Sequence, residues 1–294
     1  MTPTFQSFIT RQKRLGVGIS GEYGGRPSID PCALDAEHPG LIHFYEFGTD
    51  ADRGLDDNLR RWLARGRPAT YHFLDLNLEE AEELDADWLA RTRSLAEQLS
   101  SPWLCGDAGL WHFGPRDRGH GLLLPPILEP DSAKALGRNI RRLSEATALP
   151  VLPENPPALA FIGGMHILDY FAMVCQEADC GLLLDTAHLA IFQHSRGYAP
   201  LDGLDGFPTE RIIEIHVAGG GERESADGFR YLDDDHRAQV HKDVWSILEE
   251  LVPRCPNLKA VCYECEHNPA AATLDNFARL NSLFPAPGAA ASAP

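Results

Sequence analysis

The sequence predicts an α/β protein that folds as one (β/α)8 TIM barrel. Eight short apolar runs follow one another along the chain, and most are separated by segments with the spacing of amphipathic helices. Alternating strands and helices favour parallel strand pairing through crossover connections. Eight such units within 294 residues match the usual size of this barrel. We therefore assign residues 1–284 to a single catalytic domain and residues 285–294 (PAPGAAASAP) to a disordered tail.

The predicted strands take the apolar runs in chain order. They are LGVGIS (15–20), LIHFYEF (41–47), ATYHFLD (69–75), PWLCGD (102–107), LPVLPEN (149–155), CGLLLD (180–185), IIEIHV (212–217) and LKAVCYE (258–264). Helical spacing, with apolar residues every three or four positions, is clearest in the segments 56–65, 86–99, 132–147, 167–177 and 240–252.

The composition excludes several classes of protein. A formal charge of −17, from 26 basic and 43 acidic side chains, repels phosphate backbones and disfavours a nucleic-acid partner. No apolar stretch reaches the roughly 20 residues of a membrane span, and the N-terminus lacks the pattern of a signal peptide. Seven scattered cysteines favour reduced thiols and a cytoplasmic location. Cys262 and Cys265 fall in one strand, where their spacing predicts opposite faces rather than a shared metal.

Polar side chains stand at the end of seven of the eight predicted strands. In a barrel these ends meet at one mouth, where active sites lie. The residues are Glu46, His72, Asp107, Glu154 with Asn155, Asp185 with His188, His216 and Glu264. Strand alternation predicts that Ile213, Ile215 and Val217 face the helices, so that Glu214 and His216 face the barrel axis.

A crowd of carboxylates and imidazoles at one mouth predicts a metal centre. Asp234 and His236 form a further D-x-H pair in the long loop after the seventh strand. Like charges packed this closely would strongly perturb one another unless cations separate them, and imidazole with carboxylate suits iron, manganese or zinc. A single strand-end aspartate often caps the next helix instead. The turn GDAG leaves that alternative open for Asp107.

Six motifs, in this order, resemble those of one family. They are LLPPILEP (123–130), LPENPP (152–157), GLLLDTAH (181–188), IIEIHVAGG (212–220), LDDDHRAQVHKDVW (232–245) and YECEHNP (263–269). The set, which covers roughly residues 14–275, resembles the multinuclear non-heme iron-dependent oxidative enzymes. These are xylose-isomerase-like TIM barrels, and known members modify cysteines of ribosomally made peptides, as in methanobactin biosynthesis.

The resemblance implies a chemistry and a set of roles. It implies two or three iron ions of mixed valence, dioxygen as co-substrate, a cysteine-containing precursor peptide as substrate and, in many members, a small partner protein that presents the peptide. His72 and Glu154 would be iron ligands, with Glu154 a bridge. The further ligand positions of the family match Asp185, His216, Asp234, His236 and Glu264. Asn155 and His188 match family positions that lie in or beside the ligand set. Glu154, Asp185 and His216 would form the catalytic core.

One departure from the family pattern keeps other functions open. Ala108, in GDAGLWH (106–112), stands where we expect a histidine, and His112 is the candidate replacement; the number of irons, two or three, stays open. A divalent-metal sugar isomerase, epimerase or hydrolase on the same barrel is one alternative, although none of the four lysines falls at a strand end, where a sugar isomerase would need one. A non-catalytic metal-binding scaffold subunit is the other.

Overall fold

The computed structural model describes residues 4–24, 29–80, 84–114, 116 and 123–286. These residues form ten strands and nine α-helices, besides short 3-10 helices. The strands are β1 (Gly16–Glu22), β2 (Phe44–Thr49), β3 (Ala69–Phe73), β4 (Leu104–Asp107), β5 (Val151–Glu154), β6 (Leu182–Asp185), β7 (Ile212–Ala218), β8 (Glu222–Glu224), β9 (Arg230–Leu232) and β10 (Ala260–Glu264). The helices are α1 (Phe5–Arg11), α2 (Pro31–Glu37), α3 (Asp57–Ala64), α4 (Ala86–Leu99), α5 (Pro130–Thr147), α6 (Ile167–Ala178), α7 (Thr186–Arg196), α8 (Lys242–Leu251) and α9 (Leu274–Leu283).

Eight parallel strands close the predicted barrel. Neighbours pair in the order β1-β10-β7-β6-β5-β4-β3-β2, and β8 with β9 forms a separate hairpin. Each of the eight predicted strands is present, so the (β/α)8 barrel is confirmed. The predicted tail lies, from residue 287 onward, outside the described residues.

The side chains of β7 alternate between the outer core and the barrel interior, except at one irregular position. Ile215 and Val217 pack in the outer core, as predicted. The prediction that Ile213 also faces outward is wrong, because it packs in the interior cluster. The pairing of β6 with β7 shifts register at Leu182/Leu183, and such a bulge re-aims the side chains beside it.

The N-terminal end of the barrel is filled with apolar side chains. Phe5, Phe8 and Ile9 of α1 are buried in the same cluster as the interior residues of the strands, and Phe8 meets Trp103 edge to face at 6.3 Å between ring centroids. Each such burial contributes roughly 1.5–3 kcal/mol. The polar groups of the interior therefore gather toward the opposite end.

The loop from β7 to α8 (residues 219–241) folds back over that opposite end. Its first residues must be glycines, because a Cβ at Gly219 would overlap the carbonyl oxygen of Arg237 and one at Gly220 that of Asp233. The close approach lets the loop carry side chains to the mouth of the barrel.

The cysteines and the helices bear on two further predictions. All seven cysteines are unpaired thiols. Strand β10 ends at Glu264, so the prediction that both cysteines lie in one strand is wrong for Cys265. Cys262 packs in the interior cluster and Cys265 in the outer core, so the two thiols still face opposite sides. Within the described part of the chain, no helix has the length and hydrophobicity that crossing a membrane would take.

Candidate metal centre

The C-terminal ends of the barrel strands surround a cavity of about 140 Å³. Seven residues assigned to the site from the sequence line it: His72, Asp107, Glu154, His188, Asp234, His236 and Glu264. Asp185 and His216 are fully buried, and their donor atoms lie within 4.8 Å of one on Glu264, which lines the cavity. The structure thus brings nine of the eleven predicted metal-site residues together and leaves Asn155 and His112 outside the lining.

Glu154, at the end of β5, occupies the centre of the cluster. Its Oε2 lies 2.8 Å from Nε2 of His72. Its Oε1 lies 3.3 Å from Nδ1 of His216 and 3.6 Å from Nδ1 of His188. One carboxylate therefore faces three imidazoles, an arrangement suited to a bridging ligand.

Asp185 caps helix α7 and also belongs to the cluster of ionisable side chains at the barrel mouth. Its Oδ1 accepts a hydrogen bond from the backbone N–H of His188 (2.6 Å) and so caps α7. Its Oδ2 is buried and finds no hydrogen-bond partner among the described residues. Asn155 fixes the backbone of Asp185, accepting from its N–H (2.8 Å) and donating to its carbonyl oxygen (2.9 Å). Both ends of the Asn155 amide are thereby used for positioning.

The loop after β7 completes the cluster from above. Nε2 of His188 lies 3.0 Å from Oδ2 of Asp234, while Nδ1 of His236 lies 2.7 Å from Oε2 of Glu266. The backbone of His236 is left-handed, with φ of 49°, a conformation that is costly for a residue with a side chain. The side chain of Asn268 holds it there by donating to the His236 carbonyl oxygen (2.6 Å).

Glu46 and Glu266 belong to the cluster, although neither was among the ligands predicted from the sequence. Oε1 of Glu46 lies 2.7 Å from Nε2 of His216, and its Oε2 accepts from Thr70 (3.0 Å). Glu46 lies at the end of a predicted strand, but its contact with His216 joins β2 to β7. No local sequence pattern predicts a contact between strands so far apart in the chain. Glu266 follows Glu264 by two residues, a spacing that could have placed both on one side.

Two buried thiols lie one layer deeper than the cavity. Sγ of Cys105 lies 3.4 Å from Oε2 of Glu46, and Cys262 can reach a common point with Glu46 and His216. Burial raises the pKa of both thiols well above the usual value. Burial therefore favours the neutral thiol form of both residues.

The end of β4 differs from the expectation. Asp107 lines the cavity, and its Oδ1 finds no partner in the described structure. Ala108 is fully buried in the outer core, and its N–H donates to the carbonyl oxygen of Glu154 (2.9 Å). His112 is buried in the following loop, where its Nδ1 lies 3.0 Å from the Gly114 carbonyl oxygen. The proposed replacement of a position-108 histidine by His112 is therefore not seen in the cavity.

Charge balance explains how so many buried ionisable groups coexist. Burial opposes the charge of Glu154, but His216 and His72 hold its pKa well below the usual range. Burial likewise opposes the charge of His72, whose pKa the Glu154 carboxylate raises to about 9. Burial raises the pKa of Asp107 and of Asp185 to about 7. Protonated imidazoles thus supply positive charge that divalent cations can replace.

The donor atoms form overlapping triads that fit metal ions. His72, Asp107 and Glu154 offer one triad; Glu154, Asp185 and His188 a second; Asp185, His216 and Glu264 a third; in each, the donor atoms lie within 4.8 Å of one another. One buried Oδ atom of each of three aspartates (107, 185 and 234) has no hydrogen-bond partner among the described residues. Buried polar atoms are normally paired, so these oxygens are suited to bind a cation. The shared residues would place the ions side by side.

Comparisons with known proteins agree with this architecture. A UPF0276 protein of Rhizorhabdus wittichii is 26% identical over 225 residues, which is 75% of this chain and 78% of that protein. A xylose isomerase-like TIM barrel protein of Mycobacterium smegmatis has a TM-score of 0.60 at 11% identity, over 92% of this chain and 96% of that one. The 3-keto-D-glucoside 4-epimerase YcjR of E. coli has a TM-score of 0.52 at 14% identity, over 92% of this chain and 100% of that one. The two structures confirm the xylose-isomerase-like barrel.

The sequence itself identifies the family more narrowly than the fold does. Residues 31–282 match the family model described as RiPP precursor modification enzyme MbnB/TglH/ChrH, where a RiPP is a ribosomally synthesised and post-translationally modified peptide. The match spans most of the barrel, from α2 to α9. This chain belongs to the MbnB/TglH/ChrH family of RiPP precursor modification enzymes.

Proposed function

We propose that the protein is a dioxygen-dependent oxidase that holds two or three iron ions and modifies a cysteine of a ribosomally synthesised precursor peptide. The observation that carries the proposal is the set of overlapping carboxylate and imidazole triads at the barrel mouth in a family of peptide-modifying enzymes. A cytoplasmic location and a small peptide-presenting partner protein remain predictions.

The donor set favours iron, manganese or zinc over magnesium, because imidazole suits the first-row transition metals. Iron held there would supply the one-electron redox chemistry that dioxygen requires. Glu154 and Asp185 each belong to two of the three triads, and we propose that these shared carboxylates would join neighbouring ions. With His216 of the third triad, they would form the catalytic core. Asn155 would keep Asp185 in place without touching the metal.

A divalent-metal epimerase, isomerase or hydrolase is the second candidate. The likeness to the E. coli epimerase barrel favours it. The lining speaks against an isomerase with a catalytic lysine, since none of the chain's four lysines lines the described cavity. A scaffold subunit without activity draws its support from Ala108, yet that residue packs in the outer core and removes no donor from the cavity.

Metal loading tests the site directly. His216→Ala, made in iron-replete cells and purified without oxygen, should lose most of its iron while its far-ultraviolet circular dichroism stays that of a barrel. His194→Ala, at an exposed position on α7, is the matched control and should keep wild-type iron. A His216 variant that keeps the iron content of wild type would contradict the proposed metal site.

Activity separates the candidates. Iron-loaded protein should consume dioxygen only when cysteine-containing peptides are present, and should leave those peptides with an altered mass. Sugar epimerisation with zinc or manganese, and no dioxygen uptake with any peptide, would favour the second candidate.

A further inference from the structure

Two loops at the mouth carry most of the large apolar side chains exposed by the described residues. They are the loop from β4 to α5, in its described part, and the loop from β5 to α6. Of eight exposed large hydrophobic side chains, five lie on these loops: Phe113, Leu124, Ile127, Leu159 and Ile162. Single exposed apolar residues are ordinary, whereas a cluster marks a binding surface.

Backbone hydrogen bonds hold the two loops in a defined arrangement. Leu110 and Leu124 exchange a pair of bonds at 2.9 and 3.0 Å, and the N–H of Leu128 donates to the carbonyl oxygen of Ile162 at 2.8 Å. Gly163 has φ of +105° and lies so close to the Leu128 backbone that no Cβ would fit. The apolar surface therefore rests on paired backbone.

The pairing places two isoleucines side by side. Leu128 pairs in parallel with Gly163, so the preceding residues, Ile127 and Ile162, are neighbours on one face. Leu128 is fully buried, while Ile127 is 51% and Ile162 is 73% exposed, as strand alternation requires. We call Leu124, Ile127, Leu159 and Ile162 the apolar strip.

The same loops also line the cavity of the metal centre. Leu123 and Pro157 border the cavity with its donor residues. Leu124 of the apolar strip directly follows Leu123, and Leu159 of the strip comes two residues after Pro157. The cavity, at about 140 Å³, is smaller than the roughly 300–1,000 Å³ of a pocket that encloses a whole ligand. It has room for the reacting side chain, and the rest of a peptide must lie on the rim.

We propose that the apolar strip binds the apolar residues that flank the modified cysteine of the precursor peptide. This inference rests on the proposed function, because it takes a cysteine-containing peptide as the substrate. An extended peptide advances about 3.3 Å per residue, so the segment 123–127 would run beside roughly four or five peptide residues.

The test uses full-length protein and a phage library of twelve-residue peptides with one fixed central cysteine. Wild-type protein should enrich peptides with aliphatic or aromatic residues beside the cysteine. The double variant Ile127→Lys/Ile162→Lys should show at least tenfold less enrichment, while its iron content and circular dichroism stay unchanged. Leu201→Lys, at an exposed leucine outside the two loops, is the matched control and should behave as wild type.

Each other result has a defined meaning. Equal enrichment by the double variant, or no apolar preference in the wild type, would overturn the inference even if iron-dependent peptide oxidation is found. Lost enrichment in a protein that shows no dioxygen chemistry would support the surface and count against the oxidase. A dimer that the double substitution converts to a monomer in sedimentation would reassign the strip to self-association and overturn the peptide assignment.

Discussion

Glu154→Gln is the substitution that most directly perturbs the charge balance of the centre. Glutamine keeps the size of the side chain but removes the negative charge that faces His72 at 2.8 Å and His216 at 3.3 Å. Removing one partner of a buried ion pair costs about 3–5 kcal/mol. Since whole domains are stable by only about 5–15 kcal/mol, the metal-free variant should unfold at a clearly lower urea concentration.

The pH dependence of this loss follows from the direction of the pKa shift. The imidazoles hold the pKa of Glu154 well below its usual value despite burial. Its charge therefore stabilises the folded state above the usual carboxylate pKa of about 4.3, and that contribution disappears as the pH falls through the lower pKa of the folded protein. The difference between wild type and variant should be full at neutral pH and shrink in acid.

Urea unfolding of metal-free wild type and of the metal-free Glu154→Gln variant, at neutral and at acidic pH, measures the change in stability. Elemental analysis of the variant measures how much iron it retains without this ligand. Glu97→Gln, at an exposed position on α4, is the control and should change neither. A Glu154 variant as stable as wild type at neutral pH, with full iron content, would refute the reasoning.

Three other predictions follow from particular contacts. Gly219→Ala should lower metal content without unfolding the barrel, because its Cβ would push away the loop that carries His236; unchanged metal content would contradict this. The affinity of the metal-free protein for manganese should rise from pH 6 to pH 9, because His72, with a pKa of about 9, must lose its proton to bind metal. Titration calorimetry at each pH measures the affinity, and repeating it in two buffers measures the protons released. An affinity that does not change with pH would contradict the prediction. Trp103→Phe should destabilise the protein by about 1–3 kcal/mol, because Glu214 loses a 2.7 Å hydrogen bond in the interior; an unchanged urea midpoint would contradict this expectation.

Much of the barrel could be predicted from the sequence because its signals are local. Apolar runs and helical spacing alternate along the chain, and the segments predicted as helices coincide with α3 to α6 and α8. Helix α7 could not be predicted in this way because it is buried on nearly every side and so lacks an amphipathic pattern. Strand ends then place Glu154, Asp185 and His216 at one mouth without any knowledge of side-chain contacts.

The rest of the site depends on contacts between distant strands. Ile213 turned inward because of a register shift between β6 and β7, which depends on the pairing of two strands. Glu46 joined the cluster through His216, across the barrel. Asp185 shows that a helix cap and a cluster member can be the same residue, so the two interpretations of a strand-end aspartate are not exclusive.

The most direct test of the central claim is elemental analysis with Mössbauer spectroscopy on protein purified anaerobically from iron-replete cells. The proposed function predicts two or three irons per chain, held by the triads at the barrel mouth, with an antiferromagnetically coupled mixed-valent signal. Zinc or manganese without iron would contradict the oxidase and favour the epimerase or hydrolase, and a chain that binds no metal would contradict the metal centre itself.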